Sequence, residues 1–218
     1  MKKMLLTALA LCVLCATVLC GCEEQTAANV IAEFRYDNAD AVAELGLKDN
    51  GYGDKDTGYE ATSGEGFLFA SVDGKGMRKL EWSKDDYDGN GLQAVVTGGN
   101  YHPWAEGAYV EVKVSTVGVS KVGFEAVIGG SKKGPRDFAL QYSTDGETYI
   151  DTGDVYYITD NKRPEPAFHV TLPADAAGQE TLYIRMKVAS SATIGGEVSL
   201  YGHTGGETAI HRVTVTGE

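Results

Sequence analysis

A short loop sequence, Tyr101-His102-Pro103-Trp104, places two aromatic rings and an imidazole side by side, with the carboxylate of Glu106 two residues further on. Sugar recognition uses this combination of groups, because a pyranose stacks on an aromatic ring while a few placed polar groups bond its hydroxyls. Loops on a rigid scaffold often carry binding residues. We therefore predict a ligand-binding site formed by Tyr101, His102, Trp104 and Glu106. The alternative is that Trp104 packs beneath the loop as a core residue.

A second loop has the residue types of a calcium site. Residues 86–91 read Asp-Tyr-Asp-Gly-Asn-Gly, in which Asp86, Asp88 and Asn90 place oxygen atoms at alternating positions and a glycine permits a sharp turn. The twelfth position of the loop is Thr97 rather than the glutamate of an EF-hand, and no helical pattern flanks it. Two interpretations remain open, a structural Ca²⁺ site and an acidic surface turn before a strand.

Catalytic sequence motifs are absent: the chain has no nucleophile elbow, no His-Glu-x-x-His and no phosphate-binding loop. Its histidines, His102, His169, His203 and His211, are scattered, and we expect each to be solvated or hydrogen-bonded, with His169 and His211 at outward strand positions. The sequence therefore predicts a protein that is not an enzyme and needs no cofactor for catalysis. An unrecognised hydrolase is the weakest alternative, and it would require a deep cleft with convergent titratable groups.

Two pairs of neighbouring residues are interpreted through strand geometry. Successive side chains of a strand point to opposite faces, so only one of Tyr156 and Tyr157 can face solvent. Arg136 and Asp137 precede an alternating run, where we expect a structural salt bridge rather than a ligand contact.

The charge of the chain limits its partners. It has 218 residues, with 19 Lys and Arg against 31 Asp and Glu, and a formal net charge of −12. This balance argues against nucleic acid as a partner, because phosphate binding depends on Lys and Arg. It also disfavours adhesion to an anionic membrane surface.

The N-terminus has the pattern of an export signal. Lys2 and Lys3 precede an apolar run from Met4 to Cys20, and the segment ends in a small residue followed by Cys22. This ending resembles a lipobox, in which the cysteine becomes the lipidated first residue. We therefore predict a lipoprotein signal peptide at residues 1–21, lipidation of Cys22 and a tether at residues 22–29. The predicted location is the bacterial cell envelope, with contact to the membrane only through the lipid.

The remaining chain alternates apolar and polar residues with period two, which is typical of half-buried strands. All four cysteines lie in the N-terminal segment, so the rest of the chain can form neither a disulfide nor a thiolate metal site. Asp145-Gly146 predicts a hairpin between the strand at residues 137–143 and a short strand at Tyr149. Alternating runs joined by Gly-rich turns predict an all-β, two-layer antiparallel β-sandwich at residues 30–218. The runs lie at residues 30–36, 66–71, 91–97, 109–115, 121–128, 137–143, 167–172, 181–188 and 209–216.

Several of these segments resemble a known domain. Residues 134–149, GPRDFALQYSTDGETY, resemble the jelly-roll (galactose-binding-like) accessory domain of exported bacterial proteins, as do the opening VIAEFRYDN and the ending HRVTVTGE. The resemblance implies a jelly roll with a non-catalytic binding role, and such domains often carry a structural calcium. It brings no catalytic residues.

These observations together predict a non-catalytic envelope lipoprotein that recognises carbohydrate. The alternative is a module for adhesion or assembly that binds an envelope protein through a sheet face or edge. That alternative predicts an exposed apolar patch and no aromatic groove of sugar size.

Overall fold

The structure of the chain is a computed structural model. The structure describes residues 29–36, 58–71, 81–83, 94–98, 104–158, 166–196, 199–201 and 206–218. The predicted signal peptide and Cys22 lie outside this part of the chain, as does all but the last residue of the predicted tether. No helix in the described ranges has the length and apolar character to cross a membrane.

Strands dominate the described residues, and their only helical element is a 3₁₀ turn at Ala174–Ala176. Every strand pairing is antiparallel. The strands are β1 (Asn29–Arg35), β2 (Tyr59–Glu60), β3 (Ser63–Gly64), β4 (Phe67–Ser71), β5 (Glu81–Ser83), β6 (Ala94–Gly98), β7 (Tyr109–Val114), β8 (Val122–Gly130), β9 (Asp137–Ser143), β10 (Ile150–Tyr157), β11 (Pro166–Thr171), β12 (Leu182–Val188) and β13 (Glu207–Gly217).

The strands form two sheets. A seven-stranded sheet has the order β11-β8-β13-β1-β3, with β6 also pairing with β13 and β5 with β6. A six-stranded sheet has the order β10-β9-β12-β7-β4-β2. Within them, the sets β1-β13-β8-β11 and β7-β12-β9-β10 reproduce the strand order of a jelly roll. The prediction of an all-β, two-layer jelly-roll sandwich is confirmed.

The hydrophobic core lies between the two sheets and follows from the period-two alternation. Phe124 of β8 and Phe168 of β11 meet edge to face, with ring centroids 6.1 Å apart. The inward side chains of the six-stranded sheet are also buried, among them Leu68, Val110, Val112, Leu140, Ile184 and Met186. The residues between them on each strand therefore point outward.

One strand departs from simple alternation. The register of β13 shifts between Ile210 and Arg212, which is the signature of a β-bulge. Ile210 and His211 are consequently both buried, although they are neighbours. The prediction that His211 faces outward is wrong for this reason, whereas His169 does point outward, with 87% of its side chain exposed.

Candidate functional site

The pairing register places polar side chains in rows across the outer face of the six-stranded sheet. One row runs Asp151, Gln141, Arg185, Glu111 and Phe69, from the β10 edge towards β4. These five residues come from five strands, of which only β9 and β10 are neighbours in sequence, as the two arms of a hairpin. The outer face therefore combines amides, carboxylates, a guanidinium and an aromatic ring that no local motif brings together.

A depression of about 400 Å³ lies at the β10 side of this face. Its lining includes the carboxylates of Glu106 and Asp151, the amide of Gln141 and the ammonium group of Lys187. Tyr201 adds an aromatic ring, and we call this site the β10 depression. The volume lies within the usual range of ligand pockets, about 300–1,000 Å³.

The polar groups of the β10 depression keep bonding capacity for a ligand. Gln141 Nε2 lies 3.5 Å from Asp151 Oδ2, the outer limit of a hydrogen bond. Asp151 Oδ1 accepts a hydrogen bond from the Gly153 backbone amide at 2.9 Å, which orients this carboxylate. Partial burial and the neighbouring Glu106 carboxylate raise the pKa of Tyr201.

Tyr157 lies on β10 beyond the residues that line the depression. It lies two residues beyond Val155, which lines the depression, so both side chains leave the same face of the strand. The residue is 60% exposed. Its neighbour Tyr156 instead packs on Phe168, with ring centroids 4.4 Å apart. The prediction that only one of the two tyrosines faces solvent is confirmed, and Tyr157 is the exposed one.

The Tyr157 ring is positioned by a neighbouring ion pair. The Arg136 guanidinium lies 5.7 Å from the ring centroid. Asp137 holds that guanidinium with two hydrogen bonds, Nε to Oδ1 at 2.6 Å and a terminal nitrogen to Oδ2 at 3.1 Å. The bond from Arg136 lowers the pKa of Asp137, and the Ser190 hydroxyl adds to this effect. The predicted salt bridge between Arg136 and Asp137 is confirmed.

A separate cluster on the same face is committed to internal contacts. Arg185 lies between two tyrosine rings, 3.8 Å from the centroid of Tyr109 and 3.4 Å from that of Tyr149. Its Nε donates to Glu111 Oε2 at 2.8 Å, and the Tyr149 hydroxyl donates to the same oxygen at 2.7 Å. Burial and the bond to Glu111 raise the pKa of Tyr149. These contacts hold the loop after β9 against the sheet, which is a structural role.

Trp104 does not offer a ring to a ligand. It is 1% exposed, and its Nε1 donates a hydrogen bond to the Gly206 backbone carbonyl at 2.8 Å. The predicted role of Trp104 as a ligand contact is corrected for this reason, and the alternative of a core residue holds. Glu106 of the same predicted site is exposed and lines the β10 depression. Tyr101 and His102 lie outside the described residues.

The predicted calcium ligands Asp86, Asp88 and Asn90 also lie outside the described residues. Across the described ranges there is no group of three or more His, Cys, Asp or Glu residues that would hold a metal ion. The structural calcium site therefore stays a prediction.

Sequence reasoning missed most of the β10 depression. Gln141 and Lys187 occupy outward positions of correctly predicted strands, so the alternation could have placed them on a common face. Asp151 and Tyr201 carry no such signal, because β10 was predicted only as a short strand at Tyr149 and Tyr201 lies outside the strands.

Comparisons with known proteins give structural similarities only. No protein-family model matches the chain, and no curated protein matches it either. The solved structures that resemble it include a family 61 carbohydrate-binding module in complex with β-1,4-galactotriose, at 12% identity and a TM-score of 0.38, covering 70% of this chain and 88% of that one.

Two further structures are similar. The F5/8 type C domain of a Bacteroides fragilis protein has 13% identity and a TM-score of 0.36, with 70% of this chain and 91% of that chain covered. The CBM22-1 and GH10 modules of the Clostridium thermocellum xylanase 10B, complexed with xylohexaose, have 11% identity and a TM-score of 0.40. That match covers 86% of this chain and 28% of the xylanase chain. The strand order, rather than these similarities, defines the fold.

Proposed function

We propose that this protein binds carbohydrate at the β10 depression, without breaking bonds, as a lipid-anchored protein of the bacterial cell envelope. The observation that carries the proposal is the lining of the depression. Two carboxylates, an amide and an ammonium group surround one space beside the ring of Tyr201. Sugar hydroxyls both donate and accept hydrogen bonds, so this mixed set suits them better than it suits an apolar ligand.

In this proposal Tyr157 provides a stacking surface at one end of the site. Its ring is held by Arg136 and remains mostly exposed. A saccharide that occupies the depression would reach Tyr157 with a further sugar unit. The affinity should therefore rise from a monosaccharide to an oligosaccharide.

The second candidate function is binding of a protein partner at the β10 edge. Ile150, Val155 and Tyr157 are exposed apolar side chains on this edge strand, which favours a contact of that kind. However, β10 has a register irregularity between Asp151 and Val155, and Gly153 adopts a φ of +93°. Bulges of this type obstruct the addition of another strand. We therefore rank carbohydrate binding first.

The proposal is tested by screening the purified full chain on a glycan array, with and without Ca²⁺. Tyr157→Ala and Lys187→Gln should each weaken the binding of a captured glycan by about tenfold, or about 1.4 kcal/mol. Phe67→Ala is the matched control, since Phe67 is an exposed aromatic residue on the same face, on strand β4. Equal losses in all three variants, or no glycan signal from folded protein, would contradict the proposal.

A signal that requires Ca²⁺ would support the predicted site at Asp86, Asp88 and Asn90.

The proposed anchor has its own test. Cells expressing the full chain are labelled with a radioactive fatty acid, and the label on the protein is measured. Label should be present in the unmodified chain and in Cys20→Ala, and absent from Cys22→Ala. Label that persists in Cys22→Ala would refute lipidation at this cysteine.

A further inference from the structure

A second depression, of about 380 Å³, lies on the outer face of the seven-stranded sheet. Its floor is formed where Gly123 of β8 lies between Thr171 of β11 and Thr216 of β13 in the pairing register. Thr214, two residues before Thr216, also lines it. We call this site the threonine hollow.

The hollow depends on the absence of a side chain at residue 123. A Cβ atom built on Gly123 would lie 2.5 Å from Thr216 Oγ1, closer than such atoms approach one another. The Thr216 hydroxyl therefore occupies the space next to the glycine, and any larger residue would displace it. Glycine at residue 123 therefore leaves room for the Thr216 hydroxyl at the floor of the hollow.

Ion pairs border the hollow and leave it electrically balanced. At one end Lys121 Nζ lies 2.8 Å from Glu218 Oε1. At the other end Arg212 lies 3.0 Å from Glu125 Oε1, and His169 Nδ1 lies 3.4 Å from Glu125 Oε2. Because each carboxylate already has a cationic partner, neither a cation nor an anion meets an unpaired charge there.

The chemistry of the floor points to a ligand rich in hydroxyl groups. Each threonine hydroxyl provides one donor and two acceptor positions, and its methyl group provides a small apolar surface. Thr171, Thr214 and Thr216 present three such groups around one space. A neutral saccharide unit matches both the hydroxyl pattern and the charge balance.

We propose that the threonine hollow is a second saccharide-binding site, on the opposite side of the sandwich from the β10 depression. The ligand class rests on the proposed function, whereas the position of the site rests on a separate set of residues. The hollow and the β10 depression have no lining residue in common.

The test is a titration of the isotopically labelled full chain, followed through backbone amide signals in NMR spectra. The probes are β-1,4-galactotriose, cellotriose and xylotriose, each raised to millimolar concentration. At least one probe should shift the amides of Gly123, Thr171, Thr214 and Thr216 in a saturable manner. The amides of Asp151, Val155 and Lys187 report separately on the β10 depression.

Two variants distinguish binding at the hollow from a distant effect. The double variant Thr214→Val with Thr216→Val keeps the β-branched shape that suits a strand and removes two hydroxyls. The affinity of the probe for the hollow, measured from the chemical shifts, should therefore fall by at least about tenfold. Gly123→Ala should have the same effect by displacing the Thr216 hydroxyl. Thr144→Val, at an exposed threonine of the loop after β9, is the control and should change neither site.

The outcomes separate the two proposals. Shifts confined to the β10 depression would overturn the second site and leave the proposed function standing. Shifts at the hollow that survive unchanged in both variants would also overturn it. Saturable shifts at the hollow alone would support this site and contradict the placement of the first. The absence of shifts at both places would count against both.

Discussion

At the scale of single residues, the two aromatic side chains Trp104 and Tyr157 have opposite roles. The Trp104 indole has one polar atom, and the Gly206 carbonyl satisfies it at 2.8 Å, so the whole side chain can be buried without an unpaired donor. Tyr157 lies on an edge strand, where its partner Arg136 covers part of the ring and solvent meets the rest. Exposure, and not residue type, decides which of them a sugar can reach.

A prediction at this scale concerns the Arg185 cluster. Glu111→Gln removes the charge that balances Arg185, while only 18% of the Arg185 side chain and 9% of the Glu111 side chain are exposed. We expect the free energy of unfolding to fall by about 2 kcal/mol, because a mostly buried cation loses its partner. Urea denaturation measures this loss.

The matched control for that variant is Glu147→Gln, at an exposed position of the loop after β9. Its effect should stay within about 0.5 kcal/mol. Saccharide binding by folded Glu111→Gln should be unchanged, since Glu111 does not line the β10 depression. A loss of affinity in that variant would show that the cluster contributes to the binding site.

At the scale of elements, the connection between β9 and β10 is organised by one carboxylate. Asp145 Oδ1 accepts hydrogen bonds from the backbone amides of Thr148 at 2.7 Å and Glu147 at 2.8 Å, and from the Ser143 hydroxyl at 2.8 Å. Gly146 follows with a φ of +76°, which glycine adopts without steric cost. The predicted Asp-Gly hairpin is present, with a longer connection than a two-residue turn.

These hydrogen bonds make the stability of the hairpin depend on pH. The backbone amides of Thr148 and Glu147, followed by the Ser143 hydroxyl, lower the pKa of Asp145 from 3.8 to about 2. As the pH falls through this interval, the unfolded chain takes up a proton that the folded hairpin does not, so the unfolded state is favoured. The stabilising contribution of Asp145 is therefore complete above pH 3.8 and is lost towards pH 2.

The measurement compares urea midpoints of the unmodified chain and Asp145→Asn at several pH values between 5 and 2. The asparagine does not titrate, so its variant should lose less stability over the acid part of this range. Asp154→Asn, at an exposed position of β10, is the control. Parallel curves for the unmodified chain and Asp145→Asn would contradict the assignment.

At the scale of the whole molecule, strands from the two ends of the described chain lie side by side. β1 pairs with β13, and β13 also pairs with β8 and β6. The hydrogen bond from Trp104 to Gly206 joins the segment before β7 to the start of β13, 102 residues away in sequence. Much of the stability of the sandwich therefore depends on contacts that are distant along the chain.

The variant Trp104→Phe tests this long-range hydrogen bond. The variant leaves the Gly206 carbonyl without its donor and removes part of a buried ring system, so the free energy of unfolding should fall by about 2–4 kcal/mol. Calorimetry or urea denaturation gives the value. The folded variant should bind a captured glycan as the unmodified chain does, and a selective loss of affinity would restore Trp104 as a ligand contact.

Individual elements show why some of the fold was predictable from sequence. β9 was predicted at residues 137–143 and is found at Asp137–Ser143, because Phe138, Leu140 and Tyr142 alternate cleanly with residues of the outer face. β2 and β3, with two residues each, are too short to carry a periodic pattern. β10 runs to Tyr157, well beyond the short strand predicted at Tyr149, because Asp151 and Gly153 interrupt its pattern.

The period-two alternation predicted the class of fold, and the loop motif at residues 101–106 predicted one residue of the candidate site, Glu106. Alternation with period two is a local property, and it selects antiparallel sheets with one buried face. Which side chains share a space follows from the tertiary structure, since Gln141, Asp151 and Lys187 meet through strand pairing and Tyr201 joins them from outside the strands. The tertiary structure likewise decided that Trp104 is buried and Tyr157 exposed, because burial depends on what packs above a residue and not on the residue alone.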